Sequence, residues 1–444
     1  MRTLILAAAA AIAFPSFAQS PASAPSASVR AMAAGYKALT VCSALKTAEA
    51  AGGSRTLDSV EANELVGVYP ELDALVRQMT VDIFPARVVV DWDDAMPPRV
   101  AVWRPDQGCA ILPVGWSGDQ TAPEPSDVRR DPGFSTGSAS DPAALAAVLT
   151  RARDGSYGEG SNTTGVVILQ NDRLVAEQYA PGFSPETPQR TWSVAKSLAG
   201  TIIGAAVQRG EADVNAPAAI PDWSREGDPR AAITLDQLMR MASGLTSDTA
   251  GNRTDALYFG GVGVDEQVTT WPLIGRPGTQ FRYANNDILL AIQAIAPTFE
   301  AHPPAELFQR LGMNDTWAET DWRGNYMLSS QVWTTARDLA RFGQLYLHDG
   351  MMGGERILPV GWRDYVSRAS GPQPAGDQGY GATFWLMNRS EGIPADTISA
   401  NGNRGQYVVI VPGRNIVIVR RGEDPAGRRF DVIAFTRDVL AALE

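Results

Sequence analysis

The chain has 444 residues, 44% of them hydrophobic and 20% charged, which is the profile of a soluble globular protein with room for one large domain and an addition. Its formal net charge of −11 repels nucleic acid and anionic lipid, so neither is an expected partner. With two histidines and two cysteines it has too few ligands for an ordinary zinc site, and any proton-transfer chemistry falls to other side chains.

Arg2 precedes an apolar run from Leu4 to Phe14 and a small-residue stretch ending at Ala18. That pattern predicts a secretory signal over 1–18, and hence a periplasmic or secreted protein with no membrane insertion afterwards. The run is too short to cross a bilayer. Residues 19–29 read as a disordered low-complexity tail. Residues 30–115 read as an N-terminal addition, with a helix over about 29–48 and short strands at 86–91 and 99–103. An even cysteine count in an exported chain suits a Cys42–Cys109 disulfide, with two buried thiols as the other reading. Residues 116–141, rich in Ser, Gly, Pro and Asp, read as a linker across the surface.

The main domain is expected over 142–444. Two strands flanking Asn171-Asp172 form a hairpin. A helix follows Ser193, and another runs over about 234–241. Residues 246–270 look irregular and suited to lining a cleft, with Tyr258, Phe259 and Trp271 close by. Helices are expected over 287–296, 304–311 and 335–347. A second hairpin follows around Pro412-Gly413, and a helix from about Phe430 closes the chain. Strands first, helices in the middle and strands last predict an α+β fold whose two ends share one antiparallel sheet, flanked by helices and a helical subdomain.

The chemistry concentrates in Thr191-Trp192-Ser193-Val194-Ala195-Lys196-Ser197. Leu198, Ala199, Ile202, Ile203 and Ala206 recur at helical spacing behind it, so Ser193 falls at a helix N-terminus. Lys196 then lies one turn on, within reach of the Ser193 hydroxyl. Serine needs a base, and a buried neutral lysine can serve. His302 lies in a Pro-rich loop and His348 at a helix C-terminus, so lysine and tyrosine remain as bases. Tyr283 and Asn285 follow a Pro-Gly turn: a phenolate favoured by the lysine charge could shuttle protons, and Asn285 could bond Lys196 or a substrate amide, or simply cap its helix. Asn403, Gly405 and Gln406 open a strand whose glycines admit a ligand closely, with a backbone N–H to pair with that of Ser193 around an oxyanion. Two further pattern matches are set aside. Ser43-Ala-Leu-Lys46 lacks a following Tyr-x-Asn and is taken as a surface coincidence; Gly133-Phe-Ser-Thr-Gly137 lacks the strand and helix that such an elbow requires.

Ser-x-x-Lys, Tyr-x-Asn and a Gly-rich opening to a terminal strand pair, in that order, resemble the β-lactamase-related serine hydrolases. Met241-Ala-Ser-Gly-Leu, Arg276-Pro-Gly-Thr-Gln-Phe-Arg-Tyr and Ala336-Arg-Asp-Leu-Ala-Arg-Phe-Gly agree with this, and the resemblance covers about residues 140–444. It implies a β-lactamase/penicillin-binding-protein-like fold with Ser193 as acyl-forming nucleophile, Lys196 and Tyr283 as bases and Asn285 in support. The backbone N–H groups of Ser193 and Gln406 would hold the oxyanion. No metal or organic cofactor is implied, and the substrate is a small amide or ester. In β-lactamases the third motif usually reads Lys-Thr-Gly; here Asn403-Arg404-Gly405 stands in its place, with Arg404 the one residue that could replace the lysine. The Gly-x-x-Gly-Gln form is nearer the esterase and 6-aminohexanoate-dimer hydrolase branch. A β-lactamase or D-Ala-D-Ala peptidase, and a non-catalytic acyl-binding sensor, are the alternatives.

Overall fold

The computed structural model describes residues 25–116, 131–246 and 254–444. The signal segment and much of the linker therefore lie outside the described residues.

The N-terminal unit opens with α1 (Ala27–Ala50), capped by Ser26, whose hydroxyl accepts the Val29 N–H. Residues 27–29, assigned to a tail by composition, are thus its first turn. Two shorter helices follow, α2 (Leu57–Asn63) and α3 (Pro70–Gln78). Then comes an antiparallel sheet of four strands in sequential order: β1 (Val81–Ile83), β2 (Arg87–Val90), β3 (Arg99–Arg104) and β4 (Gly108–Ile111). The sequence showed only the middle pair. Cys42 on α1 and Cys109 on β4 form a disulfide that closes 67 residues. Closing so long a loop takes entropy from the unfolded chain, which on the chain-entropy account is worth about 4 kcal/mol.

The unit is docked on the rest of the chain through buried polar contacts. Arg99 donates to Ala31 O and, at 3.1 Å, to Phe259 O. Ser43, which the sequence suggested was a surface residue, is fully buried and donates its hydroxyl to Glu319. The same carboxylate accepts the Cys109 N–H at 3.2 Å. Burial pushes the Glu319 carboxyl up to about 7, and the two hydrogen bonds pull against that shift. A carboxyl raised in the folded state binds protons more readily folded than unfolded. Its ionisation therefore weakens the fold as pH rises from the ordinary glutamate range to about 7. Glu319→Gln is accordingly expected to gain stability relative to wild type between pH 5 and pH 8, by on the order of 2–3 kcal/mol. Chemical denaturation at the two pH values checks this; an equal difference at both would rule the ionisation out.

The main domain begins with α4 (Pro142–Arg151), β5 (Thr163–Gln170), β6 (Arg173–Tyr179) and β7 (Gln189–Arg190). Asn171 and Asp172 both take positive φ (50° and 62°), the two-residue turn that matches strand twist. The linker's second half ties down the edge of β6, with Gly137 N–H donating to Leu174 O. Asp131 there accepts Arg337 at 3.0 Å and also pairs with Arg341. Helix α5 (Val194–Gln208) is buried on nearly every side. Beyond it lie α6 (Leu235–Met239), the one-turn helices α7 (Asp255–Tyr258) and α8 (Val264–Gln267), α9 (Asn285–Ile295) and α10 (Pro304–Arg310). The strands β8 (Thr316–Ala318) and β9 (Val332–Thr334) join β7 in a three-stranded sheet of order β7-β9-β8, and α11 (Ala336–Leu347) follows.

After the small hairpin β10 (Met351–Met352) and β11 (Glu355–Arg356) and helix α12 (Trp362–Val366) come the last strands. They are β12 (Gly379–Tyr380), β13 (Trp385–Leu386), β14 (Ile398–Gly402), β15 (Gln406–Val411) and β16 (Ile416–Gly422), and α13 (Val432–Ala442) ends the chain. The main sheet runs β12-β13-β14-β15-β16-β5-β6, antiparallel throughout, so the two ends of the domain share it as expected. Side chains alternate across it. Val409, Val411, Ile416 and Ile418 face α4 and α13 through Leu145, Val148 and Phe435. Val408, Ile410, Val417 and Val419 belong to the core on the other side, with Leu339, Phe342 and Leu198. Burial on both faces explains why the final hairpin reads as unbroken apolar runs. This is an α+β architecture, and it sets the start of α5 beside the end of β14.

Candidate active site

Three elements converge on Ser193. It is the N-cap residue of α5, and its side chain makes no capping bond, which leaves the hydroxyl free for other partners. The preceding Trp192 has φ +50°, a left-handed backbone that bulky residues rarely adopt. The Arg190 guanidinium lies 3.7 Å from the centre of the Trp192 ring and donates to Ser330 Oγ at 2.9 Å. Strain of this kind persists only where surroundings hold it, and here the Arg190 stack covers the strained residue. No sequence pattern marked Trp192 or Arg190.

Lys196 is buried, with its Nζ 2.9 Å from Ser193 Oγ. The other contacts of that nitrogen are Asn285 Oδ1 at 2.6 Å and the Ser329 carbonyl at 2.9 Å. Both of these are acceptors only, so they hold two N–H bonds. The third direction, toward Ser193, carries a proton in the ammonium and a lone pair in the amine. Burial, with a smaller push from the nearby Arg190 charge, lowers the Lys196 ammonium to about 7. Near neutral pH a large fraction of this lysine is therefore the amine, with its lone pair aimed at the serine hydroxyl.

Asn285 heads α9 without capping it; the N-cap position is Ala284. Its side chain instead fixes Lys196, which resolves the alternative that the sequence left open. Tyr283 packs on Trp385 and Tyr380 at ring distances of 5.5 and 5.9 Å. Its ring centre lies 5.0 Å from Lys196 Nζ. Burial raises the Tyr283 phenol well above its ordinary range, and the interaction of its hydroxyl with Ser193 only partly offsets this. The expected phenolate is thus corrected: desolvation by burial outweighs the lowering effect of the Ser193 hydroxyl, and Tyr283 is a neutral phenol facing the serine.

On the third side, a Cβ at Gly402 would meet Thr191 O at 2.4 Å and Ser193 N at 3.2 Å. Only glycine leaves the space before the Ser193 amide open. Gly402 and the exposed Asn403 line the cleft with Ser193. Gln406 does not stand there. It is fully buried, its register pairs it with Gly402 in the ladder, and its side chain accepts from Arg421 Nε at 2.6 Å. Gly405 touches the cleft, but what its missing side chain admits is the Arg420–Asp424 ion pair. Arg404 is turned away as well. Its guanidinium is buried, pairs with Glu423 at 2.5 Å and donates to the carbonyls of Asn63 and Val66. The expectation that it replaces the Lys-Thr-Gly lysine fails on that geometry.

The cleft holding these groups has a volume of about 1110 Å³. Tyr258, expected to line it, does so, whereas Phe259 packs in the core against Tyr36 and Tyr69. Val68 and Tyr69 of the N-terminal unit form part of its wall. Among the described residues, no helix is long and apolar enough to cross a membrane.

Comparison with known proteins gives the family and the fold. The Beta-lactamase family model matches residues 156–439. A 6-aminohexanoate-dimer hydrolase of Paenarthrobacter ureafaciens is 27% identical over 304 residues, which are 60% of this chain and 74% of that protein. Among solved structures, "Putative 6-aminohexanoate-dimer hydrolase from Bacillus anthracis" superposes with a TM-score of 0.54 at 24% identity, over 63% of this chain and 78% of that one. A second, "putative beta-lactamase from Bacteroides dorei DSM 17855", gives a TM-score of 0.52 at 22% identity, over 63% and 90%. At these identities the two structures speak for the fold.

Proposed function

This chain belongs to the beta-lactamase family of hydrolases, and from that membership we propose that it is an exported serine hydrolase that cleaves an amide or ester through a Ser193 acyl-enzyme. The observation that carries the reading is the contact between Lys196 Nζ and Ser193 Oγ, with the lysine's other two directions taken by carbonyl acceptors. Ser193 Oγ attacks the carbonyl carbon as its proton passes to the Lys196 amine. The oxyanion is held by the Ser193 N–H and by a backbone N–H of the Gly402–Asn403 edge, in place of Gln406. Tyr283, a neutral phenol, relays the proton from Lys196 to the departing amine or alcohol. Water then attacks the acyl group as Lys196 takes its proton, and Lys196 returns that proton to Ser193 Oγ as the Oγ–carbon bond breaks and the acid leaves.

The esterase or amidase branch is favoured over a β-lactamase or peptidase because Arg404 is spent on buried contacts. The 6-aminohexanoate-dimer hydrolase relative supports the same branch. Export is supported by the apolar run Leu4–Phe14 and by the Cys42–Cys109 disulfide, a bond that persists in oxidising compartments.

Intact mass after treatment with a fluorophosphonate, together with p-nitrophenyl ester and nitrocefin hydrolysis, tests the reading. One adduct on Ser193 with ester turnover is expected. Nitrocefin turnover faster than ester turnover would move the assignment to the β-lactamase branch. Absence of both adduct and turnover would sink the enzyme reading in favour of a binding protein.

A further inference from the structure

Arg190 is buried at the end of β7, three residues before Ser193, and β7 pairs with β9, which starts just after Ser329 and Ser330. Its guanidinium reaches both segments. It lies 3.7 Å from the centre of the Trp192 ring, and it donates to Ser330 Oγ at 2.9 Å and to Ser330 O at 3.5 Å. Trp192 holds its φ of +50° directly before the nucleophile. Ser329 supplies the carbonyl that accepts from Lys196 Nζ at 2.9 Å, and its hydroxyl is bonded to that of Tyr258 at 2.7 Å. One side chain thus touches the residue before the nucleophile and the residue beside the acceptor of the base.

The charge of Arg190 is directed as well. Glu64, Glu423 and Arg404 line a small buried cavity with it, beside the Tyr36 phenol, and Glu319 and Tyr258 also lie within reach of its field. Glu423 pairs with Arg404 and Glu64 with Arg55, while Glu319 accepts from Ser43 and the Cys109 N–H. Burial raises the Glu64 and Glu319 carboxyls, so they oppose the guanidinium less at low pH than at high. Among the described residues Arg190 itself forms no ion pair, and its contacts are a ring and a serine. On the other side, the hydrogen-bond partners of Lys196 (Ser193, Asn285 and Ser329) are all neutral, and so is the Tyr283 ring nearby. The Arg190 charge acts on that lysine and disfavours a second cation there.

We propose that Arg190 is the positioning residue for both members of the Ser193–Lys196 pair: it holds the nucleophile through the Trp192 ring, and the base through Ser330 and through its own positive charge. The proposal rests on the hydrolase reading above. Arginine suits both tasks at once, because its plane stacks on a ring while its fork of N–H groups reaches a neighbouring acceptor. A lysine at this position keeps the charge and loses the plane and the fork. A methionine loses all three.

The test is the rate at which a fluorophosphonate labels Ser193 from pH 5 to pH 10, read by intact mass on the full chain, with thermal melting to show that each variant is folded. Arg190→Met is expected to be labelled about a hundredfold more slowly at pH 7, the loss that a misplacement of about 1 Å brings. Its midpoint should also lie above that of the wild type, because a positive charge that disfavours the Lys196 ammonium is gone. Arg190→Lys is expected to be slower than wild type by about tenfold at every pH, with the wild-type midpoint. A folded Arg190→Met that keeps the wild-type midpoint overturns the proposal, since a purely structural arginine would change the rate alone. An Arg190→Lys that labels as fast as wild type overturns it too, and this variant decides the matter should Arg190→Met not fold. No labelling of the wild type overturns the hydrolase reading itself, and the role of Arg190 with it.

Discussion

Ser193→Ala is expected to lower ester or amide turnover by about four to six orders of magnitude and to abolish the fluorophosphonate adduct. The residue that remains has no nucleophilic atom, and the oxyanion donors and the cleft alone give only weak catalysis. The same substitution is expected to leave thermal stability almost unchanged. Ser193 occupies the N-cap of α5 but makes no side-chain capping bond, so the alanine removes no helix stabilisation of the usual kind. That separation makes the experiment decisive. A variant that melts with the wild type yet does not react identifies the hydroxyl as the working group. An adduct that persists would place the reactive serine elsewhere. Ser43, which also precedes a lysine by three residues, is buried against Glu319 and is not open to the reagent.

The parts of this site that were legible in the sequence are those encoded over one or two helical turns. Ser193 and Lys196 are three residues apart on a helix with strong apolar periodicity, so spacing alone sets their contact. The Asn171-Asp172 turn and the final hairpin are equally local, and the shared antiparallel sheet follows from them. Tyr283 and Asn285 were found by their order in the chain, although the state of the tyrosine was misjudged. Desolvation depends on what packs over a group, and Tyr380 and Trp385, which cover this ring, lie about a hundred residues on.

What sequence did not reveal is long-range. Arg404 meets Asn63 across 341 residues, and its position in a Gly-rich opening suggested a ligand contact where a buried tether exists. The proposed shift of the second oxyanion donor from Gln406 to the Gly402–Asn403 edge has a similar origin. Strand register decides which backbone amide faces Ser193, and a displacement of a few residues along one segment cannot be read from composition. The positive φ of Trp192 carries no sequence mark, because a bulky residue is held there by tertiary contacts against its own preference. Within the site, the misreadings lie where tertiary contacts override local preference.

Lys196→Met is expected to slow acylation by about two to four orders of magnitude, the range that a positioned base contributes. In the wild type, activity should rise with pH about a midpoint near 7, since the amine form accepts the serine proton and burial lowers the ammonium to about 7. Below that midpoint the lysine carries three protons, all three of its partners receive them, and no lone pair faces Ser193. The sign for stability runs the same way. The folded lysine releases its proton more readily than the unfolded one, so its burial costs less as pH rises from about 7 to 10.5. Lys196→Arg separates charge from basicity: guanidinium stays protonated throughout this range, so it should be as slow as the methionine variant although it retains a cation. Measuring labelling rates of wild type, Lys196→Met and Lys196→Arg from pH 5 to pH 10 checks both parts. A wild-type rate that shows no midpoint near 7 and is still climbing at pH 10, or an arginine variant that keeps its rate, would show that Lys196 acts as a fixed charge and not as the base that takes the Ser193 proton.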